Sequence, residues 1–332
     1  MLNGKTILVT GGTGSFGHQF VSYVLDHYKP QKIIIYSRDE FKQFIMQNEY
    51  KNHPQADKLR FFIGDVRDRE RIHRACEGVD YLVHAAALKQ VPACEYNPIE
   101  AIKTNINGAM NVIDASLDCG IKKIVALSTD KAVNPINLYG GTKLVSDKLF
   151  VAANAYAGEK NVNFSVVRYG NVAGSRGSVI PFFKNLVANG EKKLPITDFQ
   201  MTRFWISLEE GVQLVIKALE EARGGETFIS KIPSFKVTDL AKAILPDCEM
   251  VEIGIREGEK LHEIMITKED SMFTFEYEKH FIIYPHFEWW NPDKVRPSGK
   301  KVKQGFEYSS GTNAEWLTVE ELQERLKELK EH

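Results

Sequence analysis

The chain has 332 residues, 43% of them hydrophobic and 26% charged, with a formal net charge of -1. That length suits one large domain or one and a half, and the composition is ordinary for a soluble globular protein. A charge near zero gives nucleic acid and anionic membrane no electrostatic reason to bind. No run of about 18 apolar residues is present to span a bilayer.

The apolar, β-branched run Lys5–Thr10 predicts a first strand, and the pattern before it lacks the basic, apolar and small-residue order of a secretory signal. The turn Gly11-Gly12-Thr13-Gly14-Ser15-Phe16-Gly17 follows and opens a predicted helix over Ser15–His27. Glycines there let the backbone approach a pyrophosphate, and the helix N-terminus offers N–H groups and a positive dipole end. A second strand, Lys32–Ser37, ends in Ser37, Arg38 and Asp39, with Lys42 one turn into the next helix, Glu40–Tyr50. A hydroxyl and a guanidinium suit a ribose 2′-phosphate, which favours NADP, whereas Asp39 is the residue that suits the 2′-hydroxyl of NAD. The third strand, Arg60–Gly64, leads to Asp65 and Val66, expected beside the adenine. A helix is predicted over Asp68–Glu77, and a fourth strand over Asp80–Ala86, whose Ala85 and Ala86 leave room for cofactor backbone. His84 reads as a wall residue.

A long helix is predicted over Ile99–Cys119, then a fifth strand over Lys123–Ser128. The sequence Ser128-Thr129-Asp130-Lys131 follows it, and Tyr139-Gly140-Gly141-Thr142-Lys143 opens a helix over Tyr139–Ala157. Residues four apart share a helix face, so Lys143 is expected to reach the nicotinamide ribose and to lower the Tyr139 phenol toward neutral pH. Thr129 completes a Ser/Thr-Tyr-Lys set. Asp130 and Lys131 add an acid and a base at the edge where α/β sheets place ligands, and elimination of water needs such a pair. A simple dehydrogenase or a 4-epimerase does not.

A sixth strand is predicted over Asn163–Arg168, and the pattern then loosens. A helix is expected at Val179–Ala188, strands at Leu194–Thr197 and Phe204–Ser207, and a helix at Leu208–Ala222. Another helix is expected to start at a Thr238 cap, a loop to run over Phe287–Lys303, and a helix to cover Thr318–Lys330 with Thr318 and Glu321 as a capping box. The expected fold is α/β, a doubly wound parallel sheet of the Rossmann type. Residues 1–172 would hold the cofactor and the catalytic groups. Residues 173–332 would form mainly a smaller substrate lobe, with some chain returning to the sheet. Cys76, Cys94, Cys119 and Cys248 form no CxxC pair and no metal spacing, so they read as small buried residues of a cytoplasmic protein, with no metal expected.

The spacing of Gly11, Gly14 and Gly17 resembles that of the extended short-chain dehydrogenases/reductases. Further stretches (Tyr36–Glu40, Ala85–Lys89, Leu127–Lys131, Asn137–Tyr139, Arg168–Val172, Gly174–Phe183, Met201–Ser207 and Gly254–Glu263) cover nearly the whole length. They make the chain similar to the inverting UDP-N-acetylglucosamine 4,6-dehydratases of pseudaminic acid synthesis. Retaining sugar dehydratases carry Asp-Glu where this chain has Asp130-Lys131.

The resemblance implies a tightly bound, recycled NADP. It also implies that Tyr139 deprotonates the C4 hydroxyl, neutral Lys131 removes the C5 hydrogen, and protonated Asp130 releases the C6 hydroxyl. Reprotonation from the opposite face inverts C5. A lysine lowered from about 10.4 to about 7–8 and a raised aspartate are then required, and an ion pair between them weakens both roles. Lys89, Asn171, Val172, Ser178, Val179, Arg203, Arg256 and Glu259 are the implied UDP-sugar contacts, with Lys89 between cofactor and substrate. A homo-oligomer is expected, a dimer paired through the two apolar helices or a hexamer. A UDP-hexose 4-epimerase, a retaining dehydratase and a non-enzymatic NADP sensor are the alternatives.

Overall fold

The computed structural model describes residues 1–158, 160–174, 178–287 and 297–329. Most of the expected loop over Phe287–Lys303, part of the matched stretch Gly174–Phe183, and Lys330 of the expected tail helix lie outside the described residues. Six parallel strands build the first half: β1 (Thr6–Thr10), β2 (Lys32–Ser37), β3 (Leu59–Ile63), β4 (Tyr81–His84), β5 (Lys123–Thr129) and β6 (Asn163–Tyr169). Their order, β3-β2-β1-β4-β5-β6, reverses beside β1, the arrangement of a doubly wound sheet.

Both faces are buried, so the strands are apolar throughout rather than alternating. In β1, Ile7 and Val9 pack on one side against Phe20, Val21 and Val24 of α1 (Ser15–His27), together with a later helix, Leu208–Glu221. Leu8 packs on the other face with Ile72 of α3 (Arg69–Cys76), Val112 of α6 (Gly108–Cys119) and Phe150 of α7 (Leu138–Tyr156). Each such buried side chain contributes about 1.5–3 kcal/mol. The remaining helices of this half are α2 (Glu40–Tyr50), α4 (Val91–Tyr96) and α5 (Pro98–Ile102).

The single helix expected over Ile99–Cys119 is three pieces: α5, a π-helical stretch Lys103–Asn107, and α6. The wide turn directs Asn105 sideways. Its amide bonds the Leu88 N–H and carbonyl at 2.8 and 2.9 Å and donates to Thr142 Oγ1 at 2.9 Å, which ties the chain after β4 to α7. Thr238 does not cap a helix start: that helix runs Val237–Ile244, after Lys236 and without a side-chain cap. The strand expected at Phe204–Ser207 lies at Thr202–Phe204, drawn there by antiparallel pairing with Ser234–Lys236.

The second half extends the sheet. Thr227–Ser230 lies parallel to β6, and His280–Ile283, Thr274–Glu276 and Lys300–Lys301 continue outward as antiparallel strands. Around them, Val179–Ala188, Val237–Ile244 and Val319–Glu328 pack as a helical lobe, and Thr318 with Glu321 forms the expected capping box. Among the described residues no helix is long and apolar enough to cross a membrane.

Candidate active site

The turn after β1 leaves no room for side chains. A Cβ on Gly11 would lie 2.9 Å from the backbone of Ala86, and one on Gly17 would lie 2.1 Å from the Gly12 carbonyl oxygen. Gly11 also has φ 66°, which other residues adopt at a cost. Gly14 precedes α1 without a side-chain cap of its own, which leaves the first-turn N–H groups uncapped among the described residues. Phe16 stacks on Phe20 and anchors that turn. A bare backbone cradle at a helix N-terminus fits the pyrophosphate of a dinucleotide.

At the end of β2, the Ser37 hydroxyl accepts from Gln43 at 3.0 Å. Asp39 caps α2 by accepting from the Lys42 N–H at 3.0 Å, and its other oxygen pairs with the Lys42 amine at 3.4 Å. Arg38 is half-exposed and lies 3.6 Å from Asp65, whose carboxylate is committed mainly to Arg67. Val66 is buried under Gly108. His84 is the expected wall residue: its Nδ1 bonds the Thr10 hydroxyl at 2.8 Å, its ring faces Phe150, and burial pushes its pKa down to about 3.

β5 delivers its C-terminal residues into a single turn of 3-10 helix, Asp130–Ala132. The Thr129 hydroxyl donates to Asp130 Oδ1 at 2.8 Å and accepts from the Lys131 N–H at 3.3 Å. Asp130 is fully buried, and its Oδ2 has no hydrogen-bond partner among the described residues. The Lys131 amine meets three oxygens: Asn171 Oδ1 at 2.8 Å, Asp130 Oδ1 at 3.1 Å and Glu263 Oε1 at 3.3 Å. Asn137 caps α7 by accepting from the Gly140 N–H at 2.7 Å, which presents Tyr139 and Lys143 to the same site, both buried.

The protonation pattern departs from the sequence expectation. Burial alone would depress Lys131, but Asp130 and then Glu263 outweigh it and hold its pKa above the usual lysine value. Lys131 therefore rests as an ammonium, not as the expected free amine. Tyr139 is raised, not lowered, first by burial and then by the Asp130 carboxylate, with the Thr129 hydroxyl opposing. Lys143 is depressed by burial, and the carboxylate that opposes this is Asp147, one turn further along α7. Asp147 also accepts from the Ser128 hydroxyl at 2.5 Å and lies 3.7 Å from Arg168.

The expected substrate residues do not all share one environment. Asn171 touches Lys131 directly, and Val172 bridges to Ile206. Lys89 is near enough that, after burial, the charge on Lys131 lowers its pKa. Ser178 precedes the helix Val179–Ala188, and its buried hydroxyl makes no hydrogen bond among the described residues. Arg203 is turned inward, donating to the Thr202 and Leu261 carbonyls and lying 3.8 Å from Glu263. Arg256 is exposed, and the nearby Glu259 carries a buried Oε2 that makes no hydrogen bond among the described residues. Glu263, Asp147 and Lys260 were not expected. Lys260 donates to the Val133 carbonyl and so ties the catalytic turn to the lobe. Asp147 could have been found from its four-residue spacing after Lys143.

The family model described as polysaccharide biosynthesis protein matches residues 7–285. UDP-N-acetylglucosamine 4,6-dehydratase (inverting) of Campylobacter jejuni (strain 81-176) is 57% identical over 328 residues, 97% of each chain. UDP-glucose 4-epimerase of Rickettsia akari is 41% identical, over 97% of this chain and 95% of that one. The crystal structure of Pen from Bacillus thuringiensis superposes with a TM-score of 0.88 at 36% identity, covering 99% of this chain and 98% of that one.

Proposed function

The chain belongs to the polysaccharide biosynthesis protein family, and from that membership we propose that it is a hydro-lyase, a UDP-N-acetylglucosamine 4,6-dehydratase that inverts C5. The observation that carries this reading is the Asp130–Lys131 pair, 3.1 Å apart and beside Tyr139, in a chain similar along its whole length to an inverting dehydratase. The product is the 2-acetamido-2,6-dideoxy-β-L-arabino-hexos-4-ulose, still attached to UDP.

We assign NADP to the glycine cradle. Asp39 is spent on the α2 cap and on Lys42, which supports a 2′-phosphate near Ser37 and Arg38 over a 2′-hydroxyl. When bound, an oxidised nicotinamide would supply a reversible hydride acceptor and, until reduced, a positive charge opposing the upward push of burial and Asp130 on Tyr139. Tyr139 takes the proton of the C4 hydroxyl, and Lys143 holds compensating charge on the same helix face. Once C4 is a ketone, its C5 hydrogen is acidic and Lys131 removes it. Asp130 gives its proton to the departing C6 hydroxyl. Asn171 holds the Lys131 amine in place. Return of the C4 hydride to C6, with a new proton delivered to the other face of C5, would give the C6 methyl and the inversion. Ser178, Arg256 and Glu259 are assigned to the UDP end. A homo-oligomer is part of the same reading, supported by the exposed Ile99, Ile102, Met110 and Val145 on α5, α6 and α7.

The test is mass spectrometry and proton NMR of UDP-N-acetylglucosamine incubated with the purified protein in D2O. The expected product is lighter by one water, carries a methyl at C6 and deuterium at C5, and has coupling constants of the inverted ring. The 41% identity to a 4-epimerase favours a second reading, which an unchanged mass with a shift to the galacto isomer would establish instead.

A further inference from the structure

We propose that Glu263 is a positioning residue: it keeps the one proton shared by Asp130 and Lys131 inside the site. The proposal rests on the dehydratase reading and deepens it. The Lys131 amine donates to Asp130 Oδ1 and Asn171 Oδ1 and is ion-paired with Glu263, the surroundings of an ammonium, which has no lone pair to act as a base. Reaching the active forms needs a single transfer over 3.1 Å. An Nζ–H bond of Lys131 breaks and an Oδ–H bond of Asp130 forms. Ammonium and carboxylate become amine and carboxylic acid. Nothing enters or leaves, and both catalytic groups are set at once.

The danger is loss of that shared proton to solvent, which would leave Lys131 neutral but Asp130 without an acid proton. Glu263 opposes the loss. It is 2% exposed, and its Oε1 lies 3.3 Å from Lys131. Its Oε2 is buried without a hydrogen-bond partner among the described residues. A fixed negative charge so placed favours the protonated pair, whichever member holds the proton. The other groups acting on the pair are Arg203, Lys260 and Lys89, which work the opposite way, and the neutral phenol of Tyr139. Arg203, 3.8 Å from Glu263, is the counterweight.

The test is the pH dependence of kcat for dehydration of UDP-N-acetylglucosamine in the cofactor-loaded enzyme, with wild type, Glu263→Gln, Glu263→Asp and Arg203→Gln. Glu263→Gln should move the alkaline limb down by about 1–3 pH units, the range an opposite charge at this distance commands. Glu263→Asp should restore most of the shift, and Arg203→Gln should move the limb upward. A purely structural role would lower kcat without these opposite displacements. Superposable limbs for wild type and Glu263→Gln overturn the proposal while leaving the dehydratase reading intact. A wild type that releases no water at any pH overturns both. Should Glu263→Gln fail to fold, Glu263→Asp decides: an alkaline limb displaced part of the way downward supports the assignment and one superposable on wild type overturns it.

Discussion

Gly140, in the first turn of α7, lies directly against the carbonyl of Lys131: a Cβ there would stand 2.1 Å from that oxygen. The residue after the candidate phenol is thus the contact surface on which the acid–base turn rests. Gly140→Ala should force the turn and the helix apart. The expected outcome is a stability loss of about 1–3 kcal/mol by urea unfolding, as for an overpacked core. A fall in kcat of about 100-fold should accompany it, with near-native circular dichroism. A variant with wild-type kcat would show that the two elements are not held in register by this contact.

Arg38 should decide between the two phosphorylation states of the cofactor. Arg38→Ala is expected to weaken NADP binding at least about tenfold and to leave NAD binding nearly unchanged, because only the 2′-phosphate uses the guanidinium. Titration calorimetry with each dinucleotide reads the difference. Equal losses for both would move the 2′-phosphate assignment away from this residue.

His84 makes stability depend on acid. Its pKa is near 3 in the fold against 6.5 for an ordinary histidine. Between those values the unfolded chain binds a proton that the folded chain refuses. The contribution is therefore fully present above about pH 6.5 and is lost as pH falls toward 3, at up to about 1.4 kcal/mol per pH unit. Urea unfolding at pH 7 and pH 5 should show a smaller drop for His84→Gln than for the wild type. Equal drops would mean that His84 is protonated in the folded protein.

The parallel half of the fold was legible because its strands are short β-branched runs separated by helical periods, and the turns between them carry chemistry at readable positions. Asp130, Lys131 and Tyr139 lie within one short stretch of chain, so spacing alone brought them together. Glu263 lies far along the chain and meets Lys131 only through tertiary packing, so no local pattern reveals it. The raised Lys131 pKa has one cause that is local, the neighbouring Asp130, and a second, Glu263, that only the tertiary fold supplies. The break in the Ile99–Cys119 helix escaped notice because Asn105 looks like any polar helix residue until its partners Leu88 and Thr142 are known. The antiparallel strands were missed because runs of two to four residues have too little periodicity to register.

Lys300–Lys301, the last strand on the antiparallel side, is two residues long, and both lysines are exposed. An open sheet margin is a template on which other chains can stack and aggregate. Here the margin ends in adjacent positive charges that a second copy, bearing the same pair, would meet head-on. Replacing both lysines with valine would turn a self-repelling border into an adhesive one. The cost would appear as loss of solubility during refolding rather than as loss of catalysis.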